Sequence, residues 1–201
     1  LCILGLGNIG KLVGQRAQCM GVQVLVYDPF LNNEAAARLG ITLGSLEQVL
    51  TQSDIITVHT PLNEQTRGLL NDQTIAMLKT GVLLINCARG GIYDEEALLR
   101  GLNSGKIAGL ALDVFVEEPP PAQHPLLQHP KVICTPHLGA STTEAQIAVA
   151  IEIAQQVIEF AAGGPARNAV NLPRIDSKQY EAIAPAMDLA KRMGTFCGQL
   201  A

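Results

Sequence analysis

Four polar residues stand where an apolar run gives way to a turn. Arg89 lies in Asn86-Cys87-Ala88-Arg89-Gly90-Gly91, and Asp113 follows Leu110-Ala111-Leu112. Glu118 comes shortly after, and His137 follows Thr135-Pro136. If the apolar runs are strands of one open α/β sheet, these residues converge on one rim, because ligands there sit beyond the carboxyl ends of the strands. A histidine held by a carboxylate can accept or give a proton near neutral pH, since the carboxylate favours the imidazolium. An arginine offers a planar fork to a substrate carboxylate. Beside a nicotinamide, such a set performs hydride transfer at a 2-hydroxy acid. Each residue also has a plainer reading: Arg89 as a sheet-edge ion pair, Glu118 beside Glu117 as a solvated loop charge, His137 as a helix-entry residue. His59 reads as a cleft-edge neighbour of Thr60-Pro61, and His124 and His129 read as exposed loop residues.

The nicotinamide is itself suggested by Gly5-Leu6-Gly7-Asn8-Ile9-Gly10, placed directly after an apolar run and before a helical pattern. In a dinucleotide fold Gly5 makes the tight turn and Gly7 lets a pyrophosphate approach the backbone. Gly10 lets the helix pack closely on the strand. Asp28 closes Val24-Leu25-Val26-Tyr27, where an acid hydrogen-bonds a ribose hydroxyl. Pro29 and Phe30 follow rather than an arginine, so NAD is expected over NADP. Gly5 to Lys11 also fits the start of a phosphate-binding P-loop, but Leu12 stands where a Ser or Thr must hold Mg²⁺.

The elements that must position these groups follow from the hydrophobic pattern. Apolar runs at Leu1–Leu4, Val22–Tyr27, Ile55–Val58, Val82–Asn86, Ile107–Leu112 and Val132–Cys134 read as strands. Between them lie helical patterns at Asn8–Met20, Asn33–Leu39, Ser45–Thr51, Asp72–Met77 and Asp94–Ser104. This alternation predicts an α/β fold with a parallel, doubly wound sheet. The runs are apolar enough to predict burial of both faces beneath helices. Glu117–Pro130, with five of the eleven prolines, reads as a long loop. A long helix is predicted from Ser141 to Ala162, closed by Gly163-Gly164-Pro165. The predicted boundary lies near residue 165, with a helical connector over 166–201 whose amphipathic pattern runs from Ser177 to Ala201.

Composition narrows the partners. The 201 residues include 14 Lys+Arg and 18 Asp+Glu, for a formal net charge of −4, and 48% are hydrophobic. No basic block points to nucleic acid or an anionic membrane, and aromatics at 3% with no Trp leave little to stack on bases. No apolar stretch approaches the ~18–20 residues a membrane helix needs, and none reads as a signal peptide. Five scattered cysteines without a C-x-x-C pair point to a reduced, cytoplasmic setting, and no metal site is expected from the histidine spacing. The chain opens on Leu1 at its first strand, without Met, so it is expected to be a piece of a longer protein.

Taken in order, Gly5–Gly10, Asn86–Gly91, Asp113-Val114-Phe115, Glu117-Glu118-Pro119 and Pro136-His137-Leu138-Gly139-Ala140 resemble the D-isomer-specific 2-hydroxyacid dehydrogenases. The resemblance covers about residues 1–173 and implies a Rossmann-type NAD-binding domain with its substrate domain ahead of residue 1. It implies Arg89, Glu118 and His137 as catalytic residues, with Glu118 preferred to Glu117 because it immediately precedes the proline. It implies NAD contacts at Asn8, Ile9, Asp28, Thr60, Cys87, Asp113 and Gly139, with Pro61, Ala88 and His137 beside them. A homodimer or larger homo-oligomer joined through this domain is implied too. Val170-Asn171-Leu172-Pro173 and Leu189-Ala190-Lys191-Arg192-Met193-Gly194 resemble the start of an extra domain in the long members of the family that oxidise D-3-phosphoglycerate in serine synthesis. That implies 3-phosphohydroxypyruvate as product. Glyoxylate, hydroxypyruvate or D-lactate as substrate, and a non-enzymatic NAD(H)-sensing adaptor like the corepressors on this scaffold, stay open. The chain by itself is expected to fold and bind NAD but to turn over little or nothing.

Overall fold

The apolar runs assemble into a seven-stranded sheet in which every pairing is parallel. The structure is a computed structural model that describes residues 1–169, 171 and 177–200. In chain order its elements are β1 (Cys2–Leu4), α1 (Asn8–Cys19), β2 (Leu25–Tyr27), α2 (Asn33–Arg38) and β3 (Thr42–Leu43). There follow α3 (Leu46–Gln52), β4 (Ile55–Val58), α4 (Asp72–Met77), β5 (Val82–Asn86) and α5 (Glu95–Asn103). The remainder are β6 (Ile107–Leu112), α6 (Pro125–Gln128), β7 (Val132–Cys134), α7 (Thr143–Ala161) and α8 (Ser177–Leu200). The strand order β3-β2-β1-β4-β5-β6-β7 reverses direction between β1 and β4. At that switch point the loops leaving two neighbouring strands diverge and open a crevice.

Two apolar layers flank the sheet. The larger gathers Leu4, Ile56, Val58, Leu84, Leu98 and Leu110 with further residues of α3 to α6. The smaller joins Ile3, Val26 and Ile41 to Val13 and Ala17 of α1. Helices therefore lie on both faces, as a doubly wound sheet requires. Burial of both faces does not extend across the whole sheet, however. Ile133 of β7 is 72% exposed and Leu83 of β5 is 42% exposed, because the smaller layer stops at β1 to β3.

Helix starts follow local chemistry. Ser45 caps α3 in a reciprocal capping box with Gln48, and Asn71 does the same for α4 with Thr74. Asp94 caps α5 by accepting from the Ala97 amide at 3.0 Å. Two elements depart from the sequence reading. β3 is a two-residue edge strand, and α6 is a single turn inside the predicted loop, with Pro125 in its first turn and His124 as its cap.

The chain divides into two compact units, residues 1–139 and 140–201, ahead of the composition change near residue 165. In the second unit Thr142 caps α7 by accepting from the Ala145 amide, and the helix ends at Ala161, with Ala162 as its C-cap before Gly163 at φ +87°. Its apolar residues remain exposed, Ile147, Ile151 and Phe160 among them. Arg167 pairs with Glu159, and Tyr180 donates to the Gly163 carbonyl. α8 contains Pro185. Of the tail motif at 170–173, only Asn171 falls among the described residues.

Candidate functional site

The glycine turn lies at the β1/β4 switch point, and its three glycines have different reasons to lack a side chain. Gly5 has φ +93°, and a Cβ there would sit 2.6 Å from Thr60 Cγ2. A Cβ on Gly10 would sit 2.1 Å from the Gly5 carbonyl oxygen, so the first turn of α1 packs directly on the turn before it. A Cβ on Gly7 would find nothing within 4 Å, which leaves the backbone open to a bulky ligand. Gly7 is also the N-cap of α1; no side chain caps the helix, and its first turn holds no acid. Exposed N–H groups at a helix start favour an anion.

Asp28 reaches back across this turn. Its Oδ2 accepts from the Leu6 amide at 2.8 Å and its Oδ1 from the Phe30 amide at 2.9 Å. A cavity of about 350 Å³ runs past Gly5, Gly7, Asp28, Phe30, Thr60 and Pro61. The Thr60 hydroxyl oxygen is buried and has no hydrogen-bond partner among the described residues. His59 lines the same cavity, as its cleft-edge reading expects, with Nε2 3.1 Å from the Thr57 hydroxyl. Burial pushes its pKa down. An uncapped helix start, an open Gly7, an acid at the end of β2 and an orphaned hydroxyl all fit a dinucleotide. Asn8 and Ile9 project from the start of α1, with Ile9 61% exposed.

Two strands away the catalytic candidates occupy the same rim. The buried Asn86 side chain closes the turn after β5: its Oδ1 accepts from the Ala88 amide and its Nδ2 donates to the Arg89 carbonyl. Arg89 is exposed, and its Nη1 donates to the Ala88 carbonyl. Cys87 is exposed too; partial burial and the charge of Asp113 push its thiol pKa up.

Asp113 organises the turn that carries His137. Its Oδ1 accepts from the Thr135 hydroxyl at 2.5 Å and the Leu138 amide at 2.7 Å, and its Oδ2 from the Gly139 amide at 3.0 Å. Burial opposes its charge, but these three donors and the nearby His137 hold its carboxyl below the usual range. These bonds surround His137, which stands at φ +55°, a left-handed conformation uncommon for a non-glycine residue. The ring then meets Glu118, with Nδ1 2.6 Å from Oε2. Glu118 Oε1 accepts from the Phe115 amide at 3.0 Å. The bond to His137, followed by that from Phe115, holds the Glu118 carboxyl below the ordinary value. Beside the pair opens a cavity of about 510 Å³ bordered by Asp113, Phe115, Leu127 and Pro136.

Thus Glu118 and His137 are in direct contact, while Asp113 is drawn to the His137 turn and Arg89 stands at the end of β5. His124 departs from its reading as an exposed loop residue: its Nε2 lies 3.3 Å from Glu95 Oε2, and both side chains are largely buried. The pair spans 29 residues, and only the position of His124 before Pro125, as a helix cap, marked it in the sequence.

Comparison with known proteins is consistent with this geometry. Residues 1–139 match the family model described as the D-isomer specific 2-hydroxyacid dehydrogenase, NAD binding domain. The chain is 51% identical over 199 residues to the D-3-phosphoglycerate dehydrogenase of Bacillus subtilis, covering 99% of this chain and 38% of that protein. It is 48% identical to the human D-3-phosphoglycerate dehydrogenase, covering 97% of this chain and 36% of the relative. The chain thus spans little more than a third of these relatives' length. Among solved structures, a D-lactate dehydrogenase from Treponema pallidum aligns with a TM-score of 0.75 at 33% identity, over 85% of this chain and 55% of the other. A D-lactate dehydrogenase from Aquifex aeolicus, complexed with NAD and lactic acid, aligns with a TM-score of 0.71 at 31% identity, over 81% and 53%. The chain belongs to the D-isomer-specific 2-hydroxyacid dehydrogenases, with residues 1–139 matching the model of their NAD-binding domain.

Proposed function

We propose that the protein carrying this chain oxidises D-3-phosphoglycerate to 3-phosphohydroxypyruvate, a step that opens serine synthesis. The observation that carries the reaction type is the 2.6 Å contact between His137 Nδ1 and Glu118 Oε2 on the cofactor rim. With Nδ1–H directed at the carboxylate, Nε2 is the basic nitrogen. It takes the proton of the substrate 2-hydroxyl, and Glu118 stabilises the resulting imidazolium. Arg89 holds the substrate carboxylate and polarises the forming carbonyl. NAD⁺, when bound, accepts the hydride from the same carbon. Gly5, Gly7, Asn8, Ile9 and Gly10 cradle its pyrophosphate, and Asp28 holds the adenosine ribose. Thr60, Pro61, Cys87, Ala88, Asp113, His137 and Gly139 border the remainder of the cofactor. The substrate is supported by the relatives at 43–51% identity, which are named for it.

In this reading the nucleotide-binding domain runs to residue 165 and residues 166–201 form a connector. The glycine at 163 with φ +87° supports a break there. Cytoplasmic residence and assembly through the nucleotide-binding domain belong to the same reading, and light scattering tests the assembly. Among the described residues no helix is long and apolar enough to cross a membrane.

The test is NADH formation by the full-length protein with D-3-phosphoglycerate, run beside glyoxylate, hydroxypyruvate and D-lactate. Preference for D-3-phosphoglycerate is expected, with turnover falling by about 10²–10⁴-fold on His137→Gln. Preference for another acid overturns the substrate. NADH binding without any turnover overturns the enzyme and favours a sensing adaptor. This chain alone is expected to bind NADH with little or no turnover.

A further inference from the structure

We propose that Glu95 and His124 are positioning residues for the Glu118–His137 pair, pinning the segment that carries Glu118 to the start of α5. The proposal rests on the reading of Glu118 and His137 as the proton-transfer couple.

The segment from Phe115 to His124 has no regular structure and three consecutive prolines at 119–121, so few backbone hydrogen bonds can hold it. Apart from the His124 N–H, which donates to the Pro121 carbonyl at 2.8 Å, and the close backbone approach of Gly90 to Phe115, its anchors are side chains. Two successive amides at its start go to two carboxylates: Phe115 N–H donates to Glu118 Oε1 at 3.0 Å, and Val116 N–H donates to Glu95 Oε1 at 2.8 Å. The second oxygen of Glu95 receives the far end of the segment, His124 Nε2, at 3.3 Å. One carboxylate therefore closes both ends of the loop on which Glu118 sits.

The protonation pattern is specified locally. His124 Nδ1 lies 3.3 Å from the Leu126 amide nitrogen and accepts from it, so the ring proton belongs on Nε2, facing Glu95, even when the imidazole is neutral. The Phe115 ring stands edge-on to His124, with centroids 5.4 Å apart and planes at 77°. The side chains of Glu95 and His124 are 20% and 19% exposed, which limits competition from water. Glu95 opens α5, where the helix dipole favours its charge, and α5 is rooted in the core through Leu98 and Leu102. The brace thus transfers the rigidity of the core to a loop that has little of its own.

The experiment uses Glu95→Ala, Glu95→Gln and His124→Asn, with Glu118→Gln and His137→Gln as reference variants. The His124→Asn side chain can still cap α6 while losing the reach to Glu95. Carboxyl carbon NMR of the 201-residue chain reads the Glu118 titration, with NADH binding and the unfolding midpoint as checks of fold. Steady-state kinetics of the full-length protein read kcat and KM. Glu95→Ala and His124→Asn are expected to move the Glu118 midpoint up toward the ordinary value. They are expected to lower kcat by about 10–100-fold at nearly constant KM for NAD⁺, as a small misplacement of a catalytic group does. Glu95→Gln, which keeps an acceptor oxygen, gives the smaller effect; equal effects of Gln and Ala overturn the hydrogen-bond account. Unchanged midpoint and kcat in folded Glu95→Ala or His124→Asn overturn the proposal. If Glu118→Gln and His137→Gln leave kcat unchanged, it is the proton-transfer reading that fails.

Discussion

Gly90 lies so close to Phe115 that a Cβ on it would sit 1.8 Å from the Phe115 carbonyl oxygen and 2.6 Å from the Val116 nitrogen. The turn bearing Arg89 and the segment bearing Glu118 therefore touch backbone to backbone. Gly90→Ala must push them apart, and overpacking of this kind costs about 1–3 kcal/mol. Urea unfolding is expected to show that loss. In the full-length protein kcat should fall with it, and by a larger factor than NADH affinity, because the glycine turn that holds the pyrophosphate lies two strands away.

Gly7→Ala should separate binding from folding in the opposite sense. The open space around Gly7 predicts a stability change below about 1 kcal/mol, mainly from a poorer helix cap. NADH binding, followed by fluorescence titration, should weaken by at least about 10-fold, the equivalent of about 1.4 kcal/mol. Retained affinity would move the pyrophosphate away from this turn.

Asp28→Ala is expected to weaken NADH and to narrow the gap between NADH and NADPH, since the carboxylate that repels a 2′-phosphate is gone. The Leu6 and Phe30 amides also lose their acceptor, so thermal unfolding should shift down. An undiminished preference for NADH, measured by paired titrations, would show that another group reads the ribose.

Acidification should destabilise the protein in two stages. His59 is held below its ordinary 6.5 by burial, so the unfolded chain binds its proton first. Its contribution is complete above about pH 6.5 and declines as pH falls. Glu118 and Asp113 are held below their ordinary 4.5 and 3.8. Their contribution is complete above those values and is lost as pH drops through the lower folded values. Urea titrations across this range should show His59→Asn flattening the first stage and Asp113→Asn the second. At neutral pH Asp113→Asn should also cost about 2–3 kcal/mol, because it leaves donors of the His137 turn unpaired.

Much of this was legible in the sequence because parallel strands carry long apolar runs and place their chemistry at one end. The runs at Ile55–Val58, Val82–Asn86, Ile107–Leu112 and Val132–Cys134 coincide with β4 to β7. Reading past their ends led to Arg89, Asp113, Glu118 and His137, and the structure brings Glu118 and His137 into contact. β3 was invisible: Thr42–Leu43 is too short to show a pattern and is a strand only through its pairing with β2. α6 was hidden among prolines, though Pro125 suits the first turn of a helix. The partial exposure of β5 and β7 could not be read either, since apolar composition does not say how far a covering helix layer extends. The Glu95–His124 brace and the Gly90 seam are meetings of distant segments, and no local spacing encodes them.

The buried Thr60 hydroxyl has a thermodynamic consequence. Folding has already stripped this oxygen from bulk water without giving it a partner among the described residues. A buried hydroxyl left without a hydrogen bond costs about 1–3 kcal/mol. A cofactor that supplies the missing hydrogen bond restores that loss on arrival. Thr60→Val should therefore make the empty domain firmer and the cofactor-loaded one relatively weaker, so calorimetry should find a smaller binding enthalpy. Thr60→Val thus reads how much of the cofactor's affinity comes from this one hydroxyl.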